Sequence, residues 1–321
     1  MLQLDAAALA ARLDRPALID ALERAFRSAP VVPARQHYEV ESANPGQRPG
    51  TLLVMPAWRS GASLGIKLVT IFPENAARRL PAVAATYLLL DAETGQPRAL
   101  LDGEELTLRR TGAASALASR CLSASCASRL TMVGTGKLAP HLIESHAAVR
   151  PIREIRIWGR HLERARALAA SLRRPQWTIE AAEDLEQAVR WADIVSCATL
   201  ARRPLVQGAW LRAGQHIDLV GAFTPEMCEA DDAAIARSEL YVDTRQGALA
   251  EAGEIVGALG RGVIDESFVR GELADLVSGR APPLRPNALT VFKSVGTALE
   301  DLAAAELAIS TAQSSPAPLV R

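Results

Sequence analysis

Residues 130–139 read LTMVGTGKLA, and this stretch constrains the fold more than any other. A short strand-like run ends at Gly134, and a helical run, LAPHLIESHAAV, opens at Leu138. Gly134 permits the tight turn and Gly136 lets backbone N–H groups approach a pyrophosphate. Ala139 is small enough for the helix to pack closely on a sheet. The helix N-terminus adds partial positive charge. Alone, such glycines can be an ordinary strand–helix turn. Here a second strand, IREIRIWG, follows about 20 residues on and completes the βαβ context of a dinucleotide-binding loop.

Strand and helix keep alternating after that loop. RHLERARALAASLRR is helical, DIVSCAT, HIDLVGA and ELYVD are strands, and together they predict a doubly wound parallel sheet. Upstream the text differs. Ala17–Ser28 has helical apolar spacing, and then TLLVMPAW, LGIKLVTIF, AVAATYLLLD and RALLDG follow with only turn residues between them. Successive strands without helices predict an antiparallel sheet. The closing segment ALTVFKSVGTALEDLAAAELA carries Val291, Val295, Leu299 and Leu302 at helical spacing and reads as a helix returning to the first region. The expected fold class is α/β: a Rossmann doubly wound parallel sheet plus an α+β domain with an antiparallel sheet. The expected boundaries are 1–113, completed by 290–321, and 114–289 for the Rossmann domain.

Several function classes drop out on composition. Lys+Arg and Asp+Glu are equal at 36 each, so no charge excess favours nucleic acid or an anionic membrane. Aromatics are only 4%, too few for base-stacking platforms. No apolar run approaches the ~18 residues of a membrane span. The first residues show no basic segment followed by an apolar signal core. Cys121, Cys126, Cys197 and Cys228 form no CxxC pair and no zinc spacing. They read as free thiols, with no metal site, in a reducing cytoplasm.

The end of the second strand bears on cofactor choice. NAD-binding domains usually carry Asp or Glu there to accept from the ribose hydroxyls. Here the text is WGRHLERA: Gly159 and Arg160 occupy the place, with His161 and Arg164 beyond. Arg can bind a 2′-phosphate with paired N–H donors, and an acid would repel it. NADPH is therefore expected over NADH, with NADH possible. The alternative is that Arg160 and Arg164 form a solvated helix face.

The first region offers a substrate holder in Arg35, Lys67 and Arg110. Lys67 lies in the apolar run LGIKLV, where a charge is costly unless paired or used. Arg110 precedes Thr111, which reads as the cap of a helix. Together these cations would make an anion site for a carboxylate. Taken singly, from spacing alone, each reads as a surface or salt-bridged residue, and Glu39 and Glu41 read as surface strand charges.

LLVMPAW, GIK, the turn of Asp91, Thr94, Gly95 and Pro97, LTLRRTGAASALA, VGTGKLA and VFKSVGTALEDLAAA occur in this order along the chain. In this ordered set the chain resembles the ornithine cyclodeaminase/mu-crystallin family. The resemblance implies a homodimer associating through the N-terminal sheets. It implies that Arg35, Lys67 and Arg110 hold the substrate carboxylate or line the reacting carbon, with Lys67 and Arg110 in the catalytic role. It also implies a cofactor set of Thr111, Thr135, Arg160, Arg164, Thr199, Val220 and Ser294. Gly134, Gly136, Leu138, His161 and Cys197 complete that set.

Two positions depart from the deaminating members. Leu53 stands where those enzymes have an acid two places before the M-P dipeptide, and Phe223 stands where they have an Asp. Cyclodeamination must bind free amino groups and activate water or an amine, which calls for carboxylates. Phe223 suggests instead an apolar wall for a ring. The expectation is NAD(P)H-dependent reduction of a cyclic imine carboxylate, Δ1-pyrroline-2-carboxylate or Δ1-piperideine-2-carboxylate, to L-proline or L-pipecolate. The alternatives are ornithine cyclodeaminase, an acyclic amino-acid dehydrogenase, or a non-enzymatic NADPH- and ligand-binding protein of the mu-crystallin kind.

Overall fold

A computed structural model describes residues 1–42, 44 and 46–313. In chain order its elements are β1 (Leu2–Leu4), α1 (Ala6–Arg12), α2 (Arg15–Ser28), β2 (Gln36–Val40), β3 (Gly50–Arg59), β4 (Ser63–Ile71), β5 (Val83–Asp91), β6 (Pro97–Asp102) and α3 (Gly103–Leu122). Then come β7 (Arg129–Val133), α4 (Leu138–Val149), β8 (Glu154–Trp158), α5 (Leu162–Ser171), β9 (Thr178–Ala181), α6 (Leu185–Trp191), β10 (Ile194–Cys197) and β11 (His216–Leu219). The rest are α7 (Asp232–Ala236), β12 (Glu239–Val242), α8 (Arg245–Glu251), α9 (Gly253–Gly260), β13 (Val269–Glu272), α10 (Leu273–Ser278), β14 (Thr290–Lys293) and α11 (Ala298–Gln313). The chain forms two compact units, Met1–Arg110 with the segment from Thr297, and Thr111–Gly296.

The first unit is a six-stranded sheet in the order β1-β6-β5-β4-β3-β2, antiparallel except for β1, which runs parallel to β6. The Asp91 carboxylate tightens the β5–β6 turn by accepting from the backbone N–H groups of Glu93 and Thr94 and from the Thr94 hydroxyl. Gly95 follows with φ +72°, a conformation that favours glycine. Strand side chains alternate between faces. On the buried face Met55, Lys67 and Tyr87 stand in one cross-strand row, beneath Ala57, Gly65 and Leu89 in the next. Helix α11 packs on β3, β4 and α2. Lys67 is thus the one charged residue in an otherwise apolar row.

The second unit is an eight-stranded parallel sheet in the order β13-β12-β14-β11-β10-β7-β8-β9. From β7 the strands run outward as β8 and β9 on one side, and as β10 and β11 on the other. The order reverses between β7 and β10, the place where a doubly wound sheet opens a crevice. Asp218, central in β11, is absorbed by the core: it accepts from Ser196 Oγ at 2.7 Å and pairs with His146 Nε2 at 3.1 Å.

Two expectations change. The segment TVFK is a strand, β14, between β11 and β12, with all four residues buried, and helix begins only at Ala298. A short strand buried on both faces has no alternation to separate it from helix. Helix α3 begins at Gly103, where Asp102 accepts from the Glu105 N–H, so Thr111 lies inside the helix and is not its cap.

Candidate functional site

The first unit contains a cavity of about 250 Å³. Arg35, Lys67 and Arg110 all line it, so the three cations separated in sequence converge. Leu53, Met55, Val69, Val83, Ala85 and Leu108 give it an apolar wall, and Glu104 and Thr107 also contribute. The side chain of Leu53, where a deaminating enzyme would need an acid, belongs to that wall.

Two buried acids at the start of α11 hold the cations. Lys67 Nζ lies 2.7 Å from Asp301 Oδ2 and 3.5 Å from Thr107 Oγ1. Arg110 donates from Nη1 to Glu300 Oε2 at 2.5 Å and from Nε to Asp301 Oδ1 at 3.0 Å. Glu300 and Asp301 are fully buried. Burial is the main force on the Lys67 ammonium and lowers its pKa to about 8; Asp301 opposes this, while Arg110 and Arg35 add to it. Burial alone would raise the Asp301 carboxyl, but Lys67 and Arg110 outweigh it and hold the group below the usual range. The ammonium is therefore charged at neutral pH and close to giving up its proton, the condition a general acid needs.

Sequence reasoning missed Glu300 and Asp301, since two acids in the first turn of a helix read as ordinary dipole partners. The usable signal was Lys67 itself, because a lysine inside an apolar strand requires an acid somewhere. Glu39 and Glu41 are exposed surface charges.

The other predicted residues stand in the second unit, around the C-terminal ends of its strands. Gly134 adopts φ +127°, and a Cβ there would fall 2.6 Å from Ala198 O. Gly136 is exposed with open space where a side chain would stand, so the backbone beyond β7 is open to a ligand. At Gly159 a Cβ would fall 2.7 Å from Thr135 Cγ2, so the glycine after β8 makes room for the loop. Leu138 opens α4 without a side-chain cap. These features fit a dinucleotide's phosphates.

Arg160, His161 and Arg164 are exposed just beyond β8, and neither arginine pairs with an acid among the described residues. Thr111, Val220 and Ser294 are buried, with Val220 directly after β11 and Ser294 directly after β14. Thr199 follows β10 and is bonded to Glu229. The Cys197 thiol is fully enclosed in the core, so that residue can meet a ligand only through its backbone. Phe223 is 39% exposed in the segment after β11.

A Rossmann sheet with an open glycine loop, and a separate unit with a buried cationic pocket, fit the class of nicotinamide-dependent oxidoreductases. More narrowly, the chain belongs to the ornithine cyclodeaminase/mu-crystallin family, whose sequence profile matches residues 2–315. It is 43% identical to protein SAR DEFICIENT 4 of Arabidopsis thaliana over 288 residues, 87% of this chain and 86% of that one. It is 38% identical to the Δ1-pyrroline-2-carboxylate reductase of Paracoccus denitrificans, covering 88% and 89% of the two chains. The solved Δ1-pyrroline-2-carboxylate reductase of Thermococcus litoralis, in complex with NADH and L-proline, superposes with a TM-score of 0.90 at 34% identity, covering 98% of each chain. Among the described residues no helix is long and apolar enough to cross a membrane.

Proposed function

We propose that this protein reduces a cyclic ketimine carboxylate, Δ1-pyrroline-2-carboxylate or its six-membered analogue, to the cyclic amino acid. The observation that carries the reading is the cavity: a fixed Lys67–Arg110 pair, with Arg35, set against an apolar wall that includes Leu53. Two ring-bound features of such a substrate match it. Its carboxylate suits the guanidinium groups of Arg35 and Arg110, and its ring carbons suit Leu53, Val69 and Leu108. A free amino group would find no acid at position 53.

Lys67 is the proton source. Its ammonium protonates the imine nitrogen, which makes the neighbouring carbon a better hydride acceptor, and the neutral Lys67 amine then takes a proton from solvent, which restores its ion pair with Asp301. A bound reduced nicotinamide supplies the hydride. Gly134, Thr135 and Gly136 would hold its pyrophosphate. Arg160 and Arg164, which pair with no acid among the described residues and follow a β8 that ends without a competing carboxylate, favour NADPH over NADH. Phe223, a part-exposed apolar ring in the segment after β11, is assigned to the substrate in this reading.

The same reading includes a homodimer. The outer face of the first unit's sheet exposes Leu68, together with the edge-strand residues Tyr38 and Val40, an apolar surface that suits a second copy of the sheet. The four cysteines are free, in keeping with a reducing, cytoplasmic setting.

The test is NADPH oxidation with both cyclic imines, beside ornithine and NAD⁺ assayed for ammonia. Rapid oxidation with silent ornithine is the expected result. Ammonia release without imine reduction would overturn the reading.

A further inference from the structure

A second cluster of buried charge lies in the parallel-sheet unit, and the chemistry above does not use it. Glu229 is completely buried. Its Oε1 accepts from the Thr199 N–H at 2.6 Å and from the Thr199 hydroxyl at 2.8 Å, and its Oε2 accepts from the Gly221 N–H at 2.7 Å. Thr199 follows β10 and Gly221 follows β11, so one carboxylate ties together the chain leaving two adjacent strands. The packing leaves no slack. A Cβ on Gly221 would fall 2.1 Å from Thr199 O, and a Cβ on Gly134 would fall 3.4 Å from Thr199 Cγ2. The Thr199 segment is therefore wedged between Gly221 and the glycine turn after β7.

Glu229 is itself held from behind. Its backbone N–H donates to Glu254 Oε1 at 2.7 Å, and Glu254 Oε2 lies 3.2 Å from Lys293 Nζ at the end of β14. Glu254 and Lys293 are also buried. A Cβ on Gly253 would fall 1.8 Å from Met227 O, so the start of α9 sits tight against the segment leading to Glu229.

We propose that Glu229 is a positioning residue for the dinucleotide site: its ionised carboxylate, backed by Glu254 and Lys293, fixes the Thr199 and Gly221 segments against the glycine turn. The inference rests on the reading that this unit binds a nicotinamide dinucleotide. In a doubly wound sheet the dinucleotide crosses at the reversal of strand order, and that reversal lies between β7 and β10, beside the Thr199 segment. The charge matters because each Glu229 oxygen faces a backbone N–H, of Thr199 and of Gly221, that can only donate. A protonated acid turns one oxygen into a donor and loses one of those bonds.

Burial raises the Glu229 carboxyl to about 7, against the pull of Lys293 and the Thr199 bonds and with the push of Glu254. The other titratable groups packed around it are Cys197 on β10 and Cys228 beside it, thiols raised by burial, Cys228 to about 12, and Asp218 on β11, which His146 and Ser196 keep ionised against the cost of burial. Protonation of Glu229 thus sets in as pH falls through about 7.

The test is a fluorescence titration of NADPH binding to the full chain and to Glu229→Gln, at pH 8 and pH 6. The variant should bind at least about tenfold more weakly at pH 8, the loss of one charge-assisted bond. At pH 6 the gap should shrink to less than about threefold, because the parent protein has then lost the same acceptor. The 2′-phosphate titrates identically in both titrations and cancels in the ratio. A gap under twofold at pH 8 overturns the proposal, and so does an equal gap at both pH values, which is the mark of a merely structural role. If Glu229→Gln does not fold, Lys293→Met serves: removing the cation should move the pH midpoint of NADPH binding upward by about one unit, and an unmoved midpoint overturns the proposal. A parent protein that binds neither NADPH nor NADH sinks the dinucleotide reading itself, and this inference with it.

Discussion

The two buried ion clusters use similar residues for opposite ends. In the first unit Lys67 and Arg110 face Glu300 and Asp301, and the cations, joined by Arg35, line a cavity. In the second unit Glu229 and Glu254 share one lysine, and the Glu229 oxygens go to backbone and hydroxyl donors. Burying charge costs several kcal/mol per ion, so neither cluster is explained by stability alone. Cations turned toward open space are equipped to receive an anion, whereas an acid saturated by N–H donors holds chain segments in place. Whether a cluster lines a cavity or is closed by backbone donors therefore separates a candidate ligand site from a scaffold.

Lys67→Met breaks the comparison most sharply. It should lower kcat/KM for imine reduction by about a thousandfold, the scale of a lost general acid. NADPH affinity, measured by fluorescence, should stay within about twofold, because the second cluster is untouched. A parallel loss of cofactor affinity would show that the clusters are not separate devices. Asp301→Asn comes next. It leaves Lys67 and Arg110 short of one buried anion, and urea unfolding should show a loss of about 3–5 kcal/mol.

The pH dependence sharpens the same contrast. Lys67 must be protonated to act, and its pKa is lowered from the ordinary lysine value to about 8. The rate with saturating NADPH should therefore be flat below that point and fall about tenfold per unit above it. In Asp301→Asn the fall should begin at lower pH, since the group that raises the Lys67 pKa has gone. A fall at unchanged pH would remove Lys67 from the role. The smallest effect is expected at the surface. Arg160→Ala with Arg164→Ala should reduce the NADPH-over-NADH preference by about three- to tenfold, read as a rise in KM for NADPH with that for NADH unchanged.

Much of this was legible beforehand because it is local. The glycine turn, the alternation of strand and helix, and the lack of an acid after β8 each lie within a few residues of one another. The turn of Asp91, Thr94 and Gly95 was legible for the same reason. What could not be read was β14, since TVFK is buried on every side and carries no periodic mark. The cap assigned to Thr111 failed because an earlier residue, Asp102, starts the helix with a better-placed carboxylate.

The sequence by itself determined the βαβ frame, the glycine loop and the presence of a lysine in an apolar strand that had to be answered by an acid. Only the tertiary structure decided which acid. Asp301 reaches Arg110 across 191 residues of chain, and Glu229 reaches Thr199 across 30. Hydrogen bonds and ion pairs act over a few ångströms of space regardless of separation along the chain. A carboxylate on a helix therefore looks the same in the text whether it meets water or a buried cation.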